Sequence, residues 1–210
     1  MKVIAVISSK GGVMKSGLSI ALAVAFEKDG KKTTILDLDP QASSSFWKDI
    51  RESNCPTVTA IPSTRLSSHL DASKESGYDT VIIDTPPSTR DVSYEAAVYA
   101  DFILIPTRPA ILDIESVTKT IYLIKQLEKH CAIILTFCEP LSKEVIDAED
   151  VIKKLDVPLC PVKIGNRIDY SRALQHGLSA QEFNPKGKAA NEISDLYKFI
   201  CTKLKRSKRK

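Results

Sequence analysis

The chain has no long hydrophobic run. No stretch of its 210 residues approaches the roughly 18 uninterrupted apolar residues that span a bilayer. A secretory leader is not expected either: one Lys and five apolar residues lead directly into polar Ser8 and Ser9, too short a block for a signal peptide. Cysteines in a recognisable framework are also missing. Cys55, Cys131, Cys138, Cys160 and Cys201 are odd in number, unrelated in spacing and without a C-x-x-C, so they read as reduced thiols. Three of them lie in apolar runs, where Cys behaves as a small hydrophobe, and the expected compartment is the cytoplasm. Glycine (8) and proline (11) are too sparse for collagen or wholesale disorder, and no repeat or low-complexity block divides the chain. What remains is an ordinary globular profile, 43% apolar and 27% charged, long enough for one good-sized core.

The net charge of +4 is unevenly spread. Residues 186–210 carry nine basic side chains against Glu192 and Asp195, a net of +7, which leaves the body at −3. A basic tail on a mildly acidic body suggests a polyanionic partner, nucleic acid or an anionic membrane surface. A solvated, frayed terminus is the plainer alternative.

Short runs rich in Val and Ile at 3–7, 34–38, 80–83, 102–105 and 132–135 are apolar throughout rather than alternating, as strands buried on both faces require. A sixth run, 157–164, is broken by Pro158 and Pro161 and reads as a sheet edge. Helical patterns fall between them, at 18–29, 91–99, 114–129, 143–155, 170–176 and 189–205. The last has a single apolar stripe of Ile193, Leu196, Tyr197, Ile200, Cys201 and Leu204. Strands alternating with helices give an α/β fold, a mostly parallel twisted sheet flanked by helices on both faces. The expected organisation is one domain, 1–204, followed by a basic tail, 205–210.

The first strand runs into S-S-K-G-G-V-M-K-S (8–16) and then an apolar helix. Strand, glycine-containing loop, Lys-Ser and helix are the parts of a phosphate cradle: backbone N–H groups and a helix N-terminus hold phosphates, the Lys reaches their oxygens, and the hydroxyl ligates Mg²⁺. The plain G-x-x-x-x-G-K-[ST] pattern fails, with Ser9 and Met14 at its glycine positions. K-G-G-x-x-K-[ST], with the extra Lys10, fits. A second acidic segment, D-L-D-P-Q (37–41), ends the second strand, and V-I-I-D-T-P-P (81–87) ends a buried strand in Asp84, placed to support Mg²⁺ through water. Turn or cap roles are the plainer reading of each acid.

Together these motifs resemble the ParA branch of the ParA/MinD family of deviant-Walker ATPases. Residues 10–16 are similar to its first motif, 37–41 to its D-x-D-P-Q motif, 83–87 to its Walker B motif and 109–113 (P-A-I-L-D) to its P-x-x-L-D segment. Arg167, Tyr170, Ala173, Gly177, Phe183 and Lys188-Ala189-Ala190 follow the spacing of small plasmid ParA proteins. The resemblance runs from residue 2 to about 204 and lacks the helix-turn-helix extension of larger ParA proteins, so self-regulation of transcription is not expected.

The resemblance implies a P-loop fold, ATP and Mg²⁺ as cofactors, and a cradle of Lys10, Gly11, Gly12, Val13, Met14, Lys15, Ser16 and Gly17. Lys15 would contact the β- and γ-phosphates, and Ser16 would ligate Mg²⁺ with Asp84 supporting it. Lys10 would reach the partner's phosphates across a nucleotide-sandwich homodimer, and Asp39 would orient the attacking water; Asp37 and Asp113 are left with a switch or nucleotide-contact role. It further implies non-specific DNA binding on the nucleoid, with Arg167, Arg172, Lys198, Lys203, Lys205 and Arg206 as candidates, and a ParB-like centromere-binding partner.

Two departures bear on this. Met14 stands where the family has Gly, and Gly17 where it has Thr. Met resists positive φ far more than Gly, so an altered loop is expected, together with ATP binding and an open question over hydrolysis. Adenine is not placed by Thr136-Phe137-Cys138, and residues 161–167 are a second candidate for it. Two other functions compete: a MinD-like membrane-cycling ATPase using Phe199, Ile200 and Leu204, and a non-hydrolysing ATP-sensing scaffold.

Overall fold

Continuous apolarity in the strands is explained by burial on both faces. The computed structural model describes residues 1–87 and 89–206, Arg206 without its side chain. It contains a seven-stranded parallel sheet of β1 (Lys2–Val6), β2 (Thr33–Asp37), β3 (Thr57–Ala60), β4 (Thr80–Asp84), β5 (Phe102–Thr107), β6 (Cys131–Cys138) and β7 (Leu159–Gly165). Their spatial order is β3-β2-β4-β1-β5-β6-β7. The helices are α1 (Lys15–Lys28), α2 (Ser43–Asp49), α3 (Leu66–Glu75), α4 (Arg90–Tyr99), α5 (Ile111–Gln126), α6 (Lys143–Lys153), α7 (Ile168–Gln175), α8 (Ala180–Phe183) and α9 (Lys188–Arg206).

Alternate residues of β1 feed two separate cores, because successive side chains point to opposite faces. Val3, Ala5 and Ile7 pack with the apolar sides of α3–α6, while Ile4 and Val6 pack with α1, α2 and α7–α9. The α9 stripe docks into the second core, with Ile193, Leu196, Ile200 and Leu204 all buried. α9 continues through Arg206, so the boundary expected at 205 falls inside a helix, and the rest of the expected tail, 207–210, lies outside the described residues. No helix among the described residues is long and apolar enough to cross a membrane.

β7 is the edge expected of its prolines, and β3, which has no apolar run, forms the other edge. β1 sits between β4 and β5, where the chain switches from building one side of the sheet to the other. In open parallel sheets this switch point, at the carboxyl ends of the strands, is where ligands bind.

Candidate functional site

The loop leaving β1 passes through two left-handed residues, Gly12 (φ 68°) and Met14 (φ 71°), on either side of Val13. Left-handed positions in such a loop turn backbone N–H groups to a common side, forming a concave anion site. Met14 is also the N-cap of α1 and supplies no side-chain cap, which leaves the helix N-terminus open to an anion.

Met14 does not avoid the left-handed region. The residue takes the left-handed conformation that glycine adopts freely, at a cost for Met of roughly 1–2 kcal/mol. Its side chain lies over Gly17, where an added Cβ would meet Met14 Cγ at 3.1 Å, Met14 Cε at 3.6 Å and Leu174 Cδ1 at 3.9 Å. The two departures from the family pattern are therefore a single adjustment: the missing side chain at 17 makes room for the extra one at 14.

Three cations and three carboxylates surround the loop. Lys15 is buried and its Nζ donates to the Lys10 carbonyl at 2.8 Å. Burial lowers its pKa, opposed by the nearby Asp84 and Asp39 carboxylates. Lys10 Nζ lies 3.5 Å from Asp113 Oδ1 at the start of α5, so the signature lysine is held by an acid of its own chain. Arg108, at the end of β5, donates to the Gly12 carbonyl through Nη2 at 2.5 Å and Nε at 3.2 Å.

Asp37 and Asp84 are register partners on β2 and β4, both buried. Asp37 is the cap of α2: one oxygen accepts the Ser44 and Ser45 N–H groups, both at 3.1 Å, and the other the Asp39 N–H at 3.1 Å. That is the geometry of the turn-and-cap role. Burial is the main influence pushing its pKa up. Asp84 Oδ2 accepts from Ser44 Oγ at 2.7 Å. Burial pushes the Asp84 carboxyl up to about 6, with Asp37 adding to the effect and Ser16, Ser44 and Lys15 pulling against it. Its Oδ1 is buried without a hydrogen-bond partner among the described residues. An orphaned carboxylate oxygen beside the Ser16 hydroxyl fits Mg²⁺, which uses one or two protein oxygens and completes its shell with water and phosphate. Asp39 is half-buried in an Asx turn, its Oδ1 accepting the Gln41 N–H at 2.9 Å.

The candidates thus divide. Residues 10–17, Asp39 and Asp84 converge at the carboxyl ends of β1, β2 and β4. Thr136, which does not place a base, lies under the loop with its hydroxyl 3.2 Å from the Thr107 carbonyl and 3.4 Å from that of Val13. The proposed DNA ligands with described side chains sit in different surroundings. Arg167 is spent on Glu192, Nε to Oε1 at 2.6 Å, and exposed Arg172 follows on α7. Lys198 and Lys205 instead line a groove of about 740 Å³ with Lys2, Lys31 and Thr80, at the opposite, amino-terminal edge of the sheet. Lys203 sits over the Phe199 ring at 5.1 Å, and the Arg206 side chain lies outside the described residues. Ser44 and Arg108 were not anticipated from the motifs; both meet the site only through the fold.

Residues 4–180 match the family model of the CobQ/CobB/MinD/ParA nucleotide binding domain. A Maintenance of carboxysome distribution protein A from Halothiobacillus neapolitanus is 27% identical over 205 residues, covering 92% of this chain and 93% of the relative. Protein ParA of Rhizobium radiobacter is 27% identical over 217 residues, covering 98% of this chain and 97% of its own. Among solved structures, a McdA variant from Cyanothece in complex with ATP aligns with a TM-score of 0.79 at 19% identity, over 97% of this chain and 96% of that one. The cell division ATPase MinD of Pyrococcus furiosus gives 0.76 at 20% identity, over 96% and 98%. At such identities the structural likeness shows the shared fold. The matched segment contains the loop, both acidic strand ends and most of the two cores, and the chain belongs to the CobQ/CobB/MinD/ParA family of P-loop ATPases.

Proposed function

We propose that the chain is an ATP-dependent partition ATPase. It dimerises on ATP, binds DNA without regard to sequence, and is released when a ParB-like centromere-binding partner stimulates hydrolysis. The observation that carries this reading is the apolar rim around the phosphate loop. Phe46, Ile111, Leu112, Leu141 and Ile168 follow the carboxyl ends of β2, β5, β6 and β7, with exposures from 59% at Ile168 to 100% at Leu141. Single exposed apolar residues need no explanation, but a ring of them on the functional edge marks an interface. A second copy seated there brings its phosphates to Lys10, which need only exchange Asp113 for them.

In this reading Lys15 holds the β- and γ-phosphates from within the loop, and Lys10 neutralises charge from the opposite protomer. Ser16 and Asp84 hold Mg²⁺, which when bound offsets charge on the phosphate oxygens. Asp39 orients the water. Phosphoryl transfer asks for positioning and charge neutralisation, both available from these groups.

The MinD-like alternative needs the apolar face of α9 at a membrane, yet Ile200 and Leu204 are buried in the core, each worth roughly 1.5–3 kcal/mol there. The deciding experiment is a plasmid-DNA gel shift with ADP and with ATP, beside liposome flotation and phosphate release. The expected result is a shift with ATP alone, insensitive to sequence and weakening with salt by about 0.9 log units per neutralised phosphate per log unit of salt. Deleting 205–210 is expected to weaken the shift and flatten that slope. Flotation with ATP and no DNA shift sinks the partition reading; dimerisation without phosphate release leaves a scaffold.

A further inference from the structure

Arg108 is an exposed arginine with an organised guanidinium. Its Nη2 and Nε both donate to the Gly12 carbonyl, at 2.5 and 3.2 Å, and the group lies over the Phe137 ring with 5.0 Å between its carbon and the ring centroid. The contact depends on Gly12 having no side chain, since an added Cβ would stand 2.9 Å from Arg108 Nη2. Gly12 therefore serves both the left-handed turn and the approach of Arg108. Phe137, which supplies the stacking face, is itself left-handed at φ 55°.

The Gly12 carbonyl and the Val13 N–H belong to one planar trans peptide and point in opposite directions. A fork that holds the carbonyl in one direction fixes the N–H in the opposite one. The next carbonyl, that of Val13, lies 3.4 Å from the Thr136 hydroxyl, whose single proton has a nearer acceptor in the Thr107 carbonyl at 3.2 Å. One peptide of the phosphate loop, that between Gly12 and Val13, is thus set by a side chain from the end of β5.

We propose that Arg108 is a positioning residue of the nucleotide site, which preorganises the phosphate-binding N–H groups of the loop by clamping the Gly12 carbonyl against the Phe137 face. This rests on the nucleotide reading of the loop. Because the clamp acts on the loop and not on the terminal phosphate, it supports diphosphate and triphosphate binding alike. A planar, two-pronged donor is needed; a lysine ammonium makes one contact and stacks less well.

The test measures affinities of Mg²⁺-ADP and a Mg²⁺ non-hydrolysable ATP analogue for wild type, Arg108→Ala, Arg108→Lys and Phe137→Ala, with thermal unfolding as a folding control. Amide exchange at Val13 is followed without nucleotide. Expected is a loss of about tenfold for both nucleotides in Arg108→Ala, on the scale of one charge-assisted hydrogen bond. Arg108→Lys should recover part of it, Phe137→Ala should show a smaller loss of the same kind, and Val13 exchange should accelerate in Arg108→Ala. Unchanged affinities in the variants overturn the inference. So does a loss confined to the triphosphate, which makes Arg108 a ligand of the terminal phosphate. If wild type itself binds neither nucleotide, the nucleotide reading fails instead.

Discussion

Met14 and Gly17 are expected to behave as one unit under mutation, and a double-mutant cycle tests this. Met14→Gly relieves roughly 1–2 kcal/mol of left-handed strain at φ 71°. It also removes a half-buried side chain from the second core, worth roughly 1–2 kcal/mol, and adds the unfolded-state entropy of glycine, up to about 1 kcal/mol. These nearly cancel, so the single variant should lie within about 1 kcal/mol of wild type. Gly17→Thr places a Cβ 3.1 Å from Met14 Cγ, tighter than most packed contacts, so that the Met14 side chain must give way, and should cost about 1–3 kcal/mol as overpacking. In the double variant the clash has no partner, and threonine is slightly favoured over glycine within a helix. The expected coupling is about 1–2 kcal/mol, with the double variant more stable than the sum of the singles implies. Urea denaturation of all four proteins measures it. Additivity within about 0.5 kcal/mol would refute the claim that Gly17 makes room for Met14.

Lys10→Ala should keep nucleotide affinity yet lose the ATP-dependent dimer in sedimentation, whereas Asp113→Ala, which only frees Lys10, should keep it; a Lys10→Ala protein that still dimerises excludes action in trans. At the far end of α2, Arg51 forks onto Glu182 at 2.7 and 3.0 Å beneath the Trp47 ring. Burial opposes ionisation of Glu182, but bonds from Arg51 and the Ser179 N–H outweigh it and hold the carboxyl below its ordinary value. A pKa depressed in the folded state contributes stability above the ordinary carboxylate range, and that contribution is lost as the pH falls through the depressed value. Glu182→Gln should therefore cost about 2 kcal/mol near neutral pH and progressively less in acid, as read by denaturation across pH. A cost that is constant with pH would show that the loss is one of shape rather than charge.

What was legible in the sequence, and what was not, follows the range of the forces involved. β1, β2, β4, β5 and β6 announce themselves because burial on both faces demands an unbroken apolar run. β3 is half-covered at an edge and reads only T-V-T-A, so nothing local sets it apart from a loop. α2 is short and polar, and its start is set by Asp37, which caps it from the end of a neighbouring strand rather than from an adjacent position. The K-G-G-x-x-K-S loop was visible because backbone geometry ties its residues together within one turn. Its supports were not: Ser44 meets Asp84 across 40 residues and Arg108 meets Gly12 across 96. Arg167 carries the spacing of a DNA-binding candidate, and its pairing with Glu192, 25 residues onward, arises only when α9 docks. Met14 shows the same limit in reverse. Its propensity argues against a left-handed turn, while the room for its side chain over Gly17 opens when α1 forms, with Leu174 closing the far side once α7 packs. A motif therefore reports which atoms are available for chemistry, while the groups that hold those atoms in place are dispersed along the chain and become visible only through the contacts of the fold.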